Sequence, residues 1–151
     1  ARSAHWRNTL LFAIGRFFVE PRMRHHRDQV RLLCEDLNRE DPQHASVKSG
    51  SRLALEILES GVVGNVPQLN RSLAECALKL LDIPPGTIDR VPARLAAIYE
   101  EAMRPEFQSA VSIWLGQREP QRALSAWLLV LLLEQAGVAW VGHPTAVICS
   151  P

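Results

Sequence analysis

His25 and His26, with Asp28 close behind, are the residues whose types first suggest chemistry, because imidazole and carboxylate are ordinary ligands for a transition metal. Their spacing argues against it. Adjacent histidines on a helix point about 100° apart, and His44 and His143 complete no H-x-x-x-H pattern. A solvated histidine pair is the expectation. Cys34 follows His26 by about two helical turns, but its apolar neighbours turn it inward, whereas a nucleophilic thiol needs partial exposure and a positive environment. Gly61-Val62-Val63-Gly64-Asn65 is glycine-rich like a phosphate loop, yet it lacks a G-K-[ST] ending and follows a helix rather than a strand, which makes it a turn. No G-x-S-x-G elbow occurs. The acidic pairs Glu35-Asp36, Glu40-Asp41 and Glu100-Glu101 fall on solvent faces or helix ends, where nothing desolvates a carboxylate enough for acid–base work. The sequence assigns no catalytic residue, no metal ligand and no cofactor, and it reads as a non-enzymatic segment.

One charged feature stands above this background. Arg2, Arg7, Arg16, Arg22, Arg24, Arg27 and Arg31 are opposed before residue 32 only by Glu20 and Asp28. All are arginine, whose planar guanidinium suits two-pronged contacts to carboxylate or phosphate. Arg16, Arg24, Arg27 and Arg31 are the candidates for a contact surface. Docking on an acidic protein partner, or on another domain of the parent chain, is the favoured use. Nucleic acid is the alternative. It ranks second because no exposed aromatics are expected to interleave the arginines and the whole chain carries a net charge of only +1.

The elements that must position these residues are helices. The 151 residues are 47% apolar and 22% charged, values of one globular domain with its own core. Cys34, Cys76 and Cys149 are widely spaced and odd in number, which predicts reduced thiols in a cytoplasmic protein rather than a disulfide framework. No signal peptide is expected. The start at Ala1 and the end at Pro151, after an apolar run, suggest a piece of a longer polypeptide.

Apolar residues recur at spacings of three and four. Residues 6–20 form the first amphipathic helix, with Ser3 as a candidate cap and Pro21 as its end. A second helix covers residues 22–38, with Val30, Leu33, Cys34 and Leu37 inward and Arg24, Arg27 and Arg31 outward, and Asp41-Pro42 closes the hairpin. The third helix covers 46–60, and the fourth starts near Pro67 and runs to about residue 82. Ile83-Pro84-Pro85-Gly86 breaks the chain, so a seam between sub-bundles is expected near 83–90. Helices over 92–104 and 106–117 follow. The last helix, 120–136, is apolar over most of its circumference and is expected to be buried on more than one side. Its strongly apolar part falls short of the roughly 20 residues a membrane span needs, and Glu134, Gln135 and Gly137 interrupt any extension. Oligomerisation through it remains open. Residues 138–141 are β-prone but too few for more than one small strand.

Trp6-Arg7-Asn8-Thr9-Leu10-Leu11-Phe12-Ala13 opening one hairpin, and Gly50-Ser51-Arg52-Leu53-Ala54-Leu55-Glu56-Ile57-Leu58 opening the next, resemble the helical region that follows the nucleotide-binding core of bacterial NACHT-type signal-transducing (STAND) ATPases. The resemblance covers about residues 4–82. It implies a parent that binds and hydrolyses ATP elsewhere, signals by oligomerising, and uses such helices to sense a ligand or hold the ATPase inactive. No Walker lysine or magnesium-binding aspartate run is present, so no nucleotide-binding residue carries over. The expected architecture is all-α, a bundle of about seven helices arranged as stacked, HEAT-like or irregular hairpins in a single domain over 1–151.

Overall fold

Helix starts and stops follow the prolines and glycines closely. The computed structural model describes residues 2–39, 47–64, 66–83, 90–117 and 120–140, and among them every regular element is helical. The described residues form seven α-helices: α1 (Arg2–Val19), α2 (Arg27–Arg39), α3 (Ser49–Ser60), α4 (Pro67–Leu78), α5 (Val91–Ala97), α6 (Arg104–Leu115) and α7 (Pro120–Gln135). Short 3₁₀ turns cover Pro21–His26, Lys79–Asp82 and Glu101–Met103. Asp41-Pro42, His44, His143 and Cys149 lie outside the described residues, as does most of the expected seam at 84–89.

The centre of the molecule is the α3–α4 hairpin. Gly61 and Gly64 take left-handed backbone angles in its turn (φ +66° and +56°), and the Gly64 N–H donates to the Gly61 carbonyl at 3.1 Å. Leu53, Ala54, Leu55 and Ile57 from α3 meet Leu69, Leu73, Ala74 and Ala77 from α4 in the buried core. On one side α2 packs along α3, and on the other α6 packs along α4; α7 lies across α5 and α6. Helix α5 makes its main contact with α7 rather than with α6, its neighbour in sequence.

Two crossings fix the geometry. Gly50 lets α3 approach α2 so closely that a Cβ there would stand 1.8 Å from the Cys34 carbonyl oxygen. Beside it, the Ser51 N–H donates to Asn38 Oδ1 at 3.1 Å and Asn38 Nδ2 donates to Ser51 Oγ at 3.0 Å. Lys48, at φ +50°, ties the start of α3 to the end of α4. Its Nζ donates to Asp82 Oδ2 at 2.6 Å and to the Lys79 carbonyl at 2.8 Å.

Several boundaries differ from the sequence reading. Ser3 lies inside α1, which begins at Arg2, so it does not cap the helix. The second stretch opens as the 3₁₀ turn Pro21–His26 before α2 begins. The fifth helix stops at Ala97 instead of reaching 104. A regular helix there would drive the Pro105 ring against the Glu101 carbonyl; a 3₁₀ turn takes its place, and Pro105 sits in the first turn of α6. The interruption also lets the Tyr99 ring meet Phe107 edge-on at 5.2 Å. Leu33 was expected inside and is exposed, because the inward ridge of α2 is Val30 and Cys34 alone, with Leu37 half-buried beside them.

The last helix is corrected as well. Ala123, Ala126, Leu129, Val130 and Leu133 are buried, but Leu124, Leu128 and Leu131 remain 47%, 37% and 49% exposed. Its partners α5, α6 and the Lys79–Asp82 turn leave that leucine stripe uncovered. Among the described residues no helix is long and apolar enough to cross a membrane.

Candidate interaction surface

The surface that carries the arginines is assembled by the junction of α1, the 3₁₀ turn and α2. Helix α1 ends at Val19, and Glu20 takes an extended backbone (φ −83°, ψ 118°) as the residue before a proline prefers. The chain reverses through Pro21–His26, so the end of α1 is left beside the first turn of α2. Arg27 closes that corner. Its Nε donates to the Phe17 carbonyl at 3.1 Å and its Nη2 to the Phe18 carbonyl at 2.9 Å, while the guanidinium lies 5.1 Å from the Phe18 ring centroid. Carbonyls at a helix C-terminus lack partners of their own, so a cation there is doubly favoured.

Arg31 sits one turn further along α2 and is held by Glu35 through Nη1. Arg24 is exposed and forms no ion pair among the described residues. These three arginines line one pocket of about 260 Å³, whose far wall is the start of α4: Val66, Gln68, Leu69 and Ser72. Asp28 is the one acidic side chain lining it. Arg16 is elsewhere. It pairs with Glu20 at 2.6 Å, an exposed contact whose hydrogen bond and charge raise the guanidinium pKa above its usual range, and it borders a separate apolar groove with Phe12, Val19 and Val62. The structure therefore groups Arg24, Arg27 and Arg31 and separates Arg16 from them.

Sequence reasoning missed two features of this face. Arg27 was placed outward, whereas half of its function is internal, as a cap on α1; the apolar run ending at Pro21 held the signal for a helix end needing a cation. Phe12 is also 74% exposed on the first hairpin, where no exposed aromatic was expected. It is left bare because Ile14 alone is fully buried among residues 8–19 of α1, and the helix contacts little beyond the 3₁₀ turn and α2.

The other candidate chemistries resolve as follows. The His25 and His26 rings lie 3.9 Å apart, tilted by 45°, within the 3₁₀ turn, rather than diverging. His26 Nδ1 is 2.9 Å from Gln29 Oε1. Among the described residues no group of three or more His, Cys, Asp or Glu side chains is placed to hold a metal ion. Cys34 is fully buried, and burial, with smaller contributions from Cys76 and Glu35, pushes its thiol up to about 12. Cys76 is buried near Asn38 Nδ2 (3.6 Å) and Ser51 Oγ (3.9 Å), and burial raises its pKa too. Thiols so desolvated are poor nucleophiles. Near Tyr99, Glu101 accepts from Arg104 Nη2 at 2.8 Å and from the tyrosine hydroxyl at 3.0 Å, and Arg104 holds its carboxyl below the usual range. That trio closes the 3₁₀ turn before α6, with Glu101 exposed and Tyr99 and Arg104 half-buried.

No protein-family model matches this chain, and no curated protein or solved structure does either. The resemblance to NACHT-type ATPases rests on residues 6–13, inside α1, and 50–58, inside α3.

Proposed function

We propose that the chain is a non-catalytic helical interaction or autoinhibitory segment of a larger cytosolic signalling or defence ATPase, with its helices stacked as irregular hairpins. It docks through the arginine face of its first hairpin onto an acidic protein surface, either a partner or another domain of its parent. The observation that carries this reading is the convergence of Arg24, Arg27 and Arg31 on one pocket with Asp28 as the only acidic lining residue. Two of the three are held by internal contacts, so little side-chain freedom is lost when a partner arrives. The ATPase context is tested by the reading frame upstream of residue 1. A G-x-x-x-x-G-K-[ST] loop after a strand-like run is expected, and a start codon directly before residue 1 would refute it.

Nucleic acid is the second reading, and exposed Phe12 on the arginine-bearing hairpin favours it, since an unburied aromatic offers a stacking platform. Fluorescence anisotropy with short single- and double-stranded probes at low salt decides the matter. Binding that weakens steeply with salt supports this reading, and a flat signal removes it.

A further inference from the structure

We infer that the pocket between α2 and the start of α4 is a binding site for a compact tetrahedral oxyanion, a phosphate group above all. The inference rests on reading the arginine face as a contact surface and names the chemical group that face holds.

Three guanidinium groups and one carboxylate line a space of about 260 Å³, so the lining is positive in balance, although Glu35 outside it offsets part of the Arg31 charge. The arginines differ in how they are held. Arg27 spends Nε and one Nη2 proton on the carbonyls of Phe17 and Phe18, which fixes its plane and leaves Nη1 free. Arg31 gives Nη1 to Glu35 and keeps Nε and Nη2. Arg24 stands exposed with no ion pair among the described residues and can swing onto a bound group. Two rigid forks and one mobile one match an anion with several acceptor oxygens.

The opposite wall adds donors independently. Helix α4 begins at Pro67, which has no N–H, and the side chain of Val66 at the preceding cap position supplies no cap. The backbone N–H groups of Gln68 and Leu69, in the first turn, therefore point out of the helix end without an intrahelical acceptor. Ser72 commits its hydroxyl proton to the Gln68 carbonyl at 3.1 Å and is not counted as a donor.

Charge selects phosphate over a carboxylate. A phosphate monoester carries about −1.5 to −2 at pH 7 and presents three acceptor oxygens, enough for both arginine forks and the α4 wall at once. A carboxylate carries a single charge and engages one fork, and the Asp28 carboxylate opposes it. The same phosphate chemistry is offered by free inorganic phosphate and by a phosphorylated side chain of a protein partner.

The test titrates inorganic phosphate into the ¹⁵N-labelled chain while following the Gln68 and Leu69 amide resonances. Saturable shifts at these two amides are expected, with the dissociation constant raised at least tenfold in Arg24→Gln/Arg31→Gln and unchanged in Arg16→Gln, which lies outside the pocket. Arg27 is left intact because it caps α1, and equal melting temperatures establish that the variants fold. Shifts that rise linearly without saturating, or equal affinity in the wild type and the double variant, overturn the site. A phosphoserine peptide binding at least tenfold tighter than phosphate assigns the ligand to a protein partner, and equal affinity assigns it to the free ion. If phosphate fails to bind while charge reversal still abolishes docking on the protein partner, the oxyanion site falls and the contact surface stands. Phosphate binding with docking indifferent to these arginines gives the converse.

Discussion

Replacing Gly50 with alanine should damage this fold more than any other single-methyl addition at a described glycine. The new Cβ would lie 1.8 Å from the Cys34 carbonyl oxygen, 2.8 Å from the Cys34 carbonyl carbon and 3.0 Å from Asn38 Oδ1. Carbon and carbonyl oxygen normally approach to about 3.3 Å, so α2 and α3 must separate by roughly 1.5 Å. Both colliding atoms of Cys34 are backbone, so no rotamer change relieves the clash. Separation stretches the Asn38–Ser51 pair of hydrogen bonds, worth about 1 kcal/mol each, and overpacking adds about 1–3 kcal/mol. The better helix propensity of alanine returns about 1 kcal/mol. The net loss is about 3 kcal/mol, which for a chain of this size lowers Tm by about 6–12 °C. Gly15→Ala is the control. Its Cβ would meet Val62 Cγ1 at 3.6 Å, an ordinary contact, and it should gain up to about 1 kcal/mol. Circular dichroism melts and urea titrations of both variants measure this. A Gly50→Ala melt within a degree or two of the wild type would refute the close crossing.

Cys34 gives a prediction in pH. Its thiol stays protonated in the folded chain to about 12, whereas the unfolded thiol ionises near 8.5. The native state then binds more protons than the unfolded one, so stability is fully present below about pH 8.5 and falls as pH rises from there toward 12. Melts at pH 8 and pH 10 should show the loss, and Cys34→Ser should flatten the slope. A native chain at pH 8 should also leave Cys34 unmodified by a thiol reagent until denaturant is added. On α7, Leu128→Gln should change stability by less than about 0.5 kcal/mol, while its buried neighbour Leu129→Ala should cost about 2–5 kcal/mol; equal losses would mean the helix faces the core with a different side.

Much of the fold was legible because periodic apolar spacing and proline placement act locally. In α4 and the 3₁₀ turn that follows it, Leu69, Leu73, Cys76, Ala77, Leu80 and Leu81 were all expected inside, and all are buried. What escaped depended on partners distant in sequence. The exposed stripe of α7 holds three leucines and its buried one two, so apolar content does not separate them, and the positions of α5, α6 and the Lys79–Asp82 turn decide between them. Gly50 reads as a poor helix residue until the Cys34 carbonyl is placed against it. At the arginine face, the charge excess was plain in the sequence, but nothing local separates Arg16 from Arg24, Arg27 and Arg31. Their grouping requires the start of α4, which lies more than thirty residues downstream of Arg31, and the capping role of Arg27 requires the chain reversal at Pro21.

The most direct measurement is a binding isotherm of this chain against the acidic partner or parent domain that the proposed function calls for, comparing the wild type with Arg24→Glu/Arg31→Glu. The contact-surface account predicts a dissociation constant raised at least tenfold, about 1.4 kcal/mol, and a further weakening of the wild-type complex as salt increases. Affinity unchanged by the double reversal, in a variant with the wild-type melting temperature, would contradict it.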